Sequence, residues 1–183
     1  MPFTFKRLNI PDLILIKPEI FEDNRGLFME LFKKSSFKKH GIREEFVQDN
    51  MSISKKNVLR GLHYQKSPNT QGKLVKCLNG KIFDVAVDIR KDSHTFGRWS
   101  SVILSCENQN ILYIPPGFAH GFYSLEDNSV ILYKTSKEYD PSTERGIHWN
   151  DMKIGIDWPL EGEPIVSEKD RHNKYLRDAE ILE

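Results

Sequence analysis

Cysteines, long apolar runs and net charge are all scarce in this sequence of 183 residues. No stretch approaches the roughly 18 consecutive apolar residues of a membrane-spanning helix, so we expect no membrane partner. Lysine and arginine total 27 and aspartate and glutamate total 26, which leaves a formal charge of +1. A chain so close to neutral has no field that attracts nucleic acid, and no nucleic-acid partner is expected.

The only two cysteines, Cys77 and Cys106, lie in apolar, strand-like stretches. We interpret both as reduced, buried thiols that behave as small apolar side chains. The N-terminal residues 1–20 lack the order of basic, apolar and small residues that a secretory signal peptide has. These two observations together predict a cytoplasmic location.

The composition that is present is that of a globular protein, with 38% hydrophobic and 29% charged residues. A chain of this length can bury the core of one domain. No internal repeat, low-complexity segment or linker interrupts it. We therefore predict a single domain over residues 1–183.

Helical periodicity occurs in only two places. Residues 35–42 are predicted to form a short helix, with Ser35 as its N-terminal cap and Gly41 at its end. Residues 167–182 are predicted to form a second helix, opened by a capping serine, Ser167, three residues before Asp170. The rest of the chain is typical of short strands, which predicts an all-β sandwich or barrel.

The strongest local strand signal lies at residues 73–89. Two β-rich runs flank Asn79-Gly80, a pair that favours a tight hairpin turn. In the second run, apolar residues on one face alternate with Asp84 and Asp88 on the other face. Further short strands are predicted at 99–104, 110–114, 121–125 and 129–136.

Polar residues fall at unexpected places within these strands. His63 follows an apolar run in the segment "NVLRGLHYQ" (57–65), together with Arg60 and Gln65. His120 follows a Pro-Pro-Gly turn that fixes where the next side chains point. Either histidine alone is more often a hydrogen-bonded core residue than a functional one.

A metal site is one interpretation of these histidines, but the ligand count is against it. Metal-binding barrels of this type use a His-x-His pair, and here Gln65 occupies the position two residues after His63. A third ligand for His63 and His120 would have to come from Asp84 or Asp88. The sequence therefore favours a site without metal.

An acid–base site is the alternative, and it needs a base, an acid and a group that stabilises negative charge. His63 is the candidate base, Tyr133 the candidate acid and Lys73 the candidate cation. Taken singly, Tyr133 is typical of a core aromatic and Lys73 of a surface lysine. Spacing along the chain does not show that the three converge.

Ten ordered segments across nearly the whole chain resemble one protein family, the dTDP-4-dehydrorhamnose 3,5-epimerases. Any single segment is weak evidence, but all of them in order are highly specific. The segments are "DNRGLFMELF" (23–32), "FVQDNMS" (46–52), "VLRGLHYQ" (58–65), "QGKLVKC" (71–77), "GKIFDVAVDIR" (80–90), "TFGRW" (95–99), "IPPGFAHGF" (114–122), "LYKTSKEYDPSTERGIHWND" (132–151), "GIDWP" (155–159) and "SEKD" (167–170).

The resemblance implies an all-β double-stranded β-helix, or cupin-type jelly roll, that needs neither metal nor cofactor. It also implies a homodimer whose N-terminal strands cross to the partner. The reaction implied is epimerisation of dTDP-4-dehydro-6-deoxy-D-glucose at C3 and C5 to dTDP-4-dehydro-L-rhamnose, a step of dTDP-L-rhamnose biosynthesis. Both carbons flank the C4 ketone, so each can lose a proton to give an enolate.

Four catalytic roles follow from the resemblance. His63 is the base, Asp170 orients it, Tyr133 is the acid on the opposite face of the sugar, and Lys73 stabilises the enolate. Read locally, Asp170 would only cap its own helix.

The resemblance also supplies expected substrate contacts. His120 would contact the sugar, and Arg60 would face the diphosphate, because a guanidinium suits oxyanions. Tyr139 would stack on thymine. The remaining expected contacts are Gln48, Asp49 and Asn50 with the nucleotide and sugar, Arg25 and Glu30 from the partner subunit, and Glu144 and Lys169 with the ligand.

Three other functions stay open on the sequence. The first is an epimerase that acts at one carbon only, on the way to another deoxysugar. The second is a catalytically silent module that binds sugar nucleotides, and the third is a metal-dependent cupin isomerase or oxygenase. Intact His63, Asp170, Lys73 and Tyr133 are evidence against the silent module.

Overall fold

The computed structural model describes residues 2–181, and its regular secondary structure is almost entirely antiparallel strand. Short strands follow one another with few helical interruptions, as the dense spacing of turn residues indicates. Along the described chain lie β1 (Phe3–Arg7), β2 (Ile14–Pro18), β3 (Phe21–Asp23), β4 (Gly26–Phe28), α1 (Lys34–Lys39), β5 (Gln48–Ser54), β6 (Leu59–Gln65), β7 (Lys73–Asn79), β8 (Lys81–Asp88), β9 (Trp99–Ser105), β10 (Ile111–Ile114), β11 (Phe118–Ser124), β12 (Ser129–Thr135), β13 (Glu144–Gly146), α2 (Glu168–Arg171) and a 3-10 turn (Leu176–Asp178).

Two large sheets form the barrel. One has six strands in the order β1-β2-β10-β7-β12-β5, and the other has five in the order β13-β6-β11-β8-β9. A core cluster that includes Val75, Ile82, Leu112 and Phe122 draws on both sheets and fills the space between them. This arrangement is the predicted cupin-type jelly roll, and the prediction of fold class is confirmed.

The outer faces of the two sheets are covered by different parts of the chain. Helix α1 places Phe37 against the outer face of the six-stranded sheet, where Ile16 and Leu74 pack with it. The C-terminal third covers the five-stranded sheet with side chains such as Trp158 and Leu176. Both sheets are thus buried on two faces over much of their area.

The hairpin predicted at 73–89 is wrong, because its two strands belong to different sheets. Strand β7 pairs with β10 and β12, whereas β8 pairs with β9 and β11. The chain does reverse at Gly80, where φ is +73° and a Cβ would lie 2.6 Å from the Ser129 hydroxyl. Turn chemistry therefore set the reversal, while burial on both faces decided which strands pair.

The predicted alternation along β8 is confirmed. Val85 and Val87 point to the outer face of the five-stranded sheet, where they pack in the cluster that contains Trp158 and Leu176. Ile82 and Ala86 point into the core between the sheets. Asp84 lies on the inner face and is completely buried. A carboxylate on that face needs partners inside the barrel.

The first helix is close to its predicted position, but its cap differs. It spans Lys34–Lys39, its N-cap is Lys33, and the N-cap side chain makes no hydrogen bond, so the assignment of Ser35 as cap is wrong. Gly41 follows the helix with a φ of +93°, as expected for a residue that ends it.

The second predicted helix is wrong in length. Only Glu168–Arg171 is α-helical, although Ser167 Oγ accepts the Asp170 amide at 3.1 Å as predicted. Downstream, the carbonyl of Lys174 accepts the His148 amide at 2.8 Å, so the backbone pairs with another segment instead of continuing a helix. The last predicted helical residue, 182, lies outside the described residues.

The two cysteines are free thiols, with Cys77 buried and Cys106 half-buried. Burial raises the pKa of Cys77 to about 11, which keeps it as the neutral thiol. Among residues 2–181, no helix has the length and apolar character needed to cross a membrane.

Candidate active site

A cavity of about 300 Å³ opens between the two sheets and holds the candidate acid–base residues. It draws side chains from both walls of the barrel, so strands far apart in sequence contribute to one site. Its lining consists of Gln48, Asn50, Ser52, Arg60, His63, Tyr64, Gln65, Gln71, Lys73, His120, Gly121, Phe122, Tyr133, Thr135, Tyr139 and Glu144.

A second cavity, of about 430 Å³, adjoins the first. The two share Arg60, His63 and Glu144, and the second extends to Lys169 and Asp170 at helix α2. The site therefore has two lobes with His63 between them.

The side chain of His63 is bound by a carboxylate that lies 107 residues further along the chain. Its Nε2 donates to Asp170 Oδ1 at 2.6 Å, and Asp170 Oδ2 accepts the Gly61 amide at 3.2 Å. Burial raises the pKa of Asp170, but the hydrogen bond and charge of His63 and the Gly61 amide outweigh it and lower the pKa overall. The ionised carboxylate orients the imidazole and supports a positive charge on it.

Glycine at position 61 lets β6 approach β11 closely. Its φ is +131°, and a Cβ there would lie 2.6 Å from the Cα of Gly121. A larger residue would push the two strands apart and move His63 from its place in the wall.

Lys73 supplies a buried positive charge beside the base. The residue is 7% exposed, and its Nζ lies 3.4 Å from the backbone oxygen of His63. Burial lowers the pKa of Lys73 to about 8, while the charges of Asp84 and Glu144 oppose the shift. The ammonium form thus prevails at neutral pH and can stabilise an oxyanion in the cavity.

Tyr133 faces the cavity from the other sheet. It lies on β12 in the six-stranded sheet, whereas His63 lies on β6 in the five-stranded sheet. Burial raises the pKa of the Tyr133 phenol, and the charge of Arg60 offsets only part of that rise. The phenol keeps its proton, so a group able to donate one stands on the wall opposite the base.

His120, which also lines the first cavity, forms a second histidine–carboxylate pair. His120 Nε2 is 2.9 and 3.0 Å from the two carboxylate oxygens of Asp84. Sequence reasoning considered Asp84 only as a metal ligand and missed this role. The alternation of β8, which directs Asp84 inward while its neighbours face out, was the signal that could have identified it.

The family model for dTDP-4-dehydrorhamnose 3,5-epimerase matches residues 7–178 of this chain. The dTDP-4-dehydrorhamnose 3,5-epimerase of Shigella flexneri is 51% identical over 177 residues, which cover 96% of this chain and 97% of that protein. The chain belongs to the dTDP-4-dehydrorhamnose 3,5-epimerase family. The family predicted from the ordered motifs is confirmed.

Solved structures of this epimerase family and its neighbours share the fold. The Legionella pneumophila dTDP-6-deoxy-D-glucose-3,5-epimerase, crystallised with dTDP-4-keto-L-rhamnose, superposes with a TM-score of 0.93 at 48% identity, over 96% of this chain and 93% of that one. A 3′-monoepimerase from Streptomyces bikiniensis, crystallised with dTDP-quinovose, gives 0.90 at 33% identity, over 96% and 91%. The barrel is thus shared by enzymes that differ in how many carbons they invert.

Several residues that the family resemblance assigns to ligand contacts form one hydrogen-bonded network at the mouth of the two cavities. Tyr139 donates its hydroxyl to Glu144 at 2.6 Å, and Lys169 forms an ion pair with the same carboxylate. Burial raises the pKa of Glu144, but the bonds from Lys169 and Tyr139 lower it overall. Gln48 accepts the Tyr139 amide at 2.8 Å and donates to Asn50 at 2.7 Å.

Three of the expected contacts do not line either cavity. Asp49 lies between Gln48 and Asn50 on β5, and strand alternation directs it to the opposite face, where Lys134 binds it at 2.7 Å. Arg25 is in the exposed turn between β3 and β4 and pairs with its neighbour Asp23. Glu30 lies 3.6 Å from Lys33. That Arg25 and Glu30 reach a partner's site stays a prediction.

The donor set does not fit a metal ion. Across the described chain, 2–181, no group of three histidine, cysteine or acidic side chains is arranged to bind one. His63 and His120 face each other across β6 and β11, but each directs its Nε2 to an aspartate.

Proposed function

We propose that this chain epimerises dTDP-4-dehydro-6-deoxy-D-glucose at C3 and C5 to dTDP-4-dehydro-L-rhamnose, in dTDP-L-rhamnose biosynthesis. The observation that carries the proposal is the opposition of the His63–Asp170 pair and the Tyr133 phenol across one cavity. Inversion of a carbon beside a ketone requires a base on one face and an acid on the other.

The residues support a stepwise proton transfer. His63 removes the proton from C3 or C5, and the electron pair of the broken C–H bond moves to O4 to give an enolate. The Lys73 ammonium stabilises that oxyanion. Tyr133 then delivers a proton to the opposite face of the same carbon, which inverts the centre and regenerates the ketone.

Cations and an aromatic ring at the mouth suit the nucleotide part of the substrate. Arg60 lines both lobes and presents a guanidinium, which binds diphosphate oxygens well. Tyr139, which is 52% exposed, is available to stack on thymine. His120, Gln48 and Asn50 are assigned to the sugar and nucleotide, and Glu144 and Lys169 to further ligand contacts.

A homodimer is part of the proposal. Strand β5 is at the edge of its sheet and exposes Met51 by 63% and Ile53 by 57%. The hairpin formed by β3 and β4 exposes Phe21 and Phe28. A second copy of the chain would cover such apolar surface, as interface cores do. We place this dimer in the cytoplasm, where free thiols persist.

Deuterium exchange tests the reaction and separates it from the alternatives. The protein is incubated with dTDP-4-dehydro-6-deoxy-D-glucose in D2O, and C3 and C5 are followed by NMR. Deuterium at both carbons with formation of the L-rhamno product is expected. Exchange at one carbon alone would identify a monoepimerase, and binding without exchange would identify a silent module.

A chelator added to the same reaction tests the absence of a metal. We expect the exchange rate to stay the same, because His63 and Lys73 do the work that a metal would do. Loss of activity on chelation, with recovery on addition of a divalent cation, would contradict the metal-free mechanism.

A further inference from the structure

Gln65 is the last residue of β6 and borders the cavity on the same face as the base. Leu62 and Tyr64 point the other way, into the cluster behind the sheet, so His63 and Gln65 both point inward. Residues two apart on a strand are about 7 Å apart. Gln65 therefore borders the place where His63 meets the sugar.

The orientation of the Gln65 amide is fixed by two donors. Its oxygen accepts the Thr143 hydroxyl at 2.6 Å and the Asp140 backbone amide at 3.2 Å. The reverse orientation would point the NH2 group at the N–H of Asp140, where no hydrogen bond can form. The oxygen thus faces the 140–143 turn, and the nitrogen faces away from it.

The nitrogen has no acceptor. The residue is only 5% exposed, and among residues 2–181 its Nε2 has no hydrogen-bond partner. Buried amide groups in native proteins are almost always paired, because an unpaired donor has lost its bonds to water. Something that enters the cavity must then supply the acceptor.

We infer that Gln65 is a substrate-binding residue whose Nε2 donates a hydrogen bond to an oxygen of the sugar part of the substrate. The inference rests on the proposed function. Lys73 begins β7 directly after the 66–72 connection from Gln65, and its Nζ is next to the His63 carbonyl. The two nitrogens thus approach the sugar from the same end of the barrel. The keto oxygen or a neighbouring hydroxyl is the acceptor.

Two variants remove the donor in different ways. Gln65→Met keeps the shape of the side chain without its polar end. Gln65→Glu keeps the oxygen that binds Asp140 and Thr143 and replaces the NH2 group. Thr143→Val is the matched control, because it weakens the bond to the Gln65 oxygen and leaves the nitrogen unchanged.

Steady-state kinetics with the sugar nucleotide and calorimetry with TDP alone give the readouts. We expect Gln65→Met to lower kcat/KM by about tenfold, which is the size of one lost neutral hydrogen bond. The Kd for TDP should stay within about twofold of wild type. In Thr143→Val, any change in kcat/KM for the sugar nucleotide should be matched by an equal change in the affinity for TDP, so the ratio of these two quantities stays at the wild-type value. If Gln65→Met does not fold, Gln65→Glu takes its place, judged against the same ratio.

Three results would overturn the inference. An unchanged kcat/KM in the Gln65 variants would show that water alone satisfies the nitrogen. An equal loss in TDP affinity would show that Gln65 acts through the turn that carries Tyr139. The same loss in Thr143→Val would assign the effect to the oxygen. An inactive wild type that binds TDP would instead refute the proposed function, whatever the variants do.

Discussion

Two histidines line one cavity, each bound to an aspartate, and the two pairs differ in exposure and in the origin of the carboxylate. The His63 side chain is 35% exposed, and its partner comes from helix α2, far along the chain. The His120 side chain is 10% exposed, and its partner Asp84 lies on the neighbouring strand β8. A base must be reached by the substrate and must exchange protons, which suits His63. His120 is enclosed and suits a positioning role.

Replacement of the two histidines should separate these roles most strongly. His63→Asn removes the base and should lower deuterium exchange at both C3 and C5 by at least about 10³-fold. His120→Asn should act mainly on KM, with a loss of about tenfold, because it removes one contact to the sugar. NMR exchange and steady-state kinetics measure both. Equal losses in the two variants would contradict the division of roles.

Replacement of the two aspartates should give a smaller contrast of the same kind. Asp170→Asn cannot support an imidazolium, so kcat should fall by about 10²-fold. Asp84→Asn should chiefly lower the free energy of unfolding, by about 1–3 kcal/mol, because a buried bond to His120 is weakened. Urea unfolding of both variants, beside their kcat values, makes the comparison. A larger kcat loss in Asp84→Asn would place the base at His120.

The pH dependence of kcat/KM should report the charge of Lys73, whose Nζ lies beside the backbone oxygen of His63. Lys73 carries its charge below its pKa of about 8 and loses it above. Stabilisation of the enolate is therefore present below that pH, and kcat/KM should fall as the pH rises through it. Asp84→Asn should shift the fall in kcat/KM to lower pH, since the charge of Asp84 favours the ammonium form of Lys73. A flat profile to about pH 10 would rule out Lys73 as the stabilising cation.

The smallest expected effect concerns the cap that holds Asp170 in place. Ser167→Ala should cost about 1 kcal/mol of stability. It should change kcat little, because the Gly61 amide still binds the carboxylate. Ser35→Ala is the control, since the α1 cap has no side-chain bond and Ser35 is not the cap. Thermal melts of both proteins are compared, and a larger loss in Ser35→Ala would contradict the observed capping.

Sequence reasoning succeeded where the signal was local or carried by an ordered motif. The alternation along β8 and the end of α1 at Gly41 follow from the geometry of a strand and from the conformational freedom of glycine. The prediction of a hairpin at Asn79-Gly80 was wrong, because a turn signal defines where a chain reverses but not which strands pair. The prediction of a long C-terminal helix was wrong, because the backbone of that segment forms a hydrogen bond with His148 instead of with itself.

The sequence by itself determined the residue types, the strand periodicity and the family, since these depend on the order of side chains along the chain. The family resemblance implied that Asp170 orients His63 and that Tyr133 acts on the opposite face, and the tertiary structure shows the bond between the first two and places Tyr133 on the other sheet. Only the tertiary structure decided that Asp84 binds His120. Pairing between distant strands depends on burial of both sheet faces at once. That burial is a property of the whole barrel, and no local pattern encodes it.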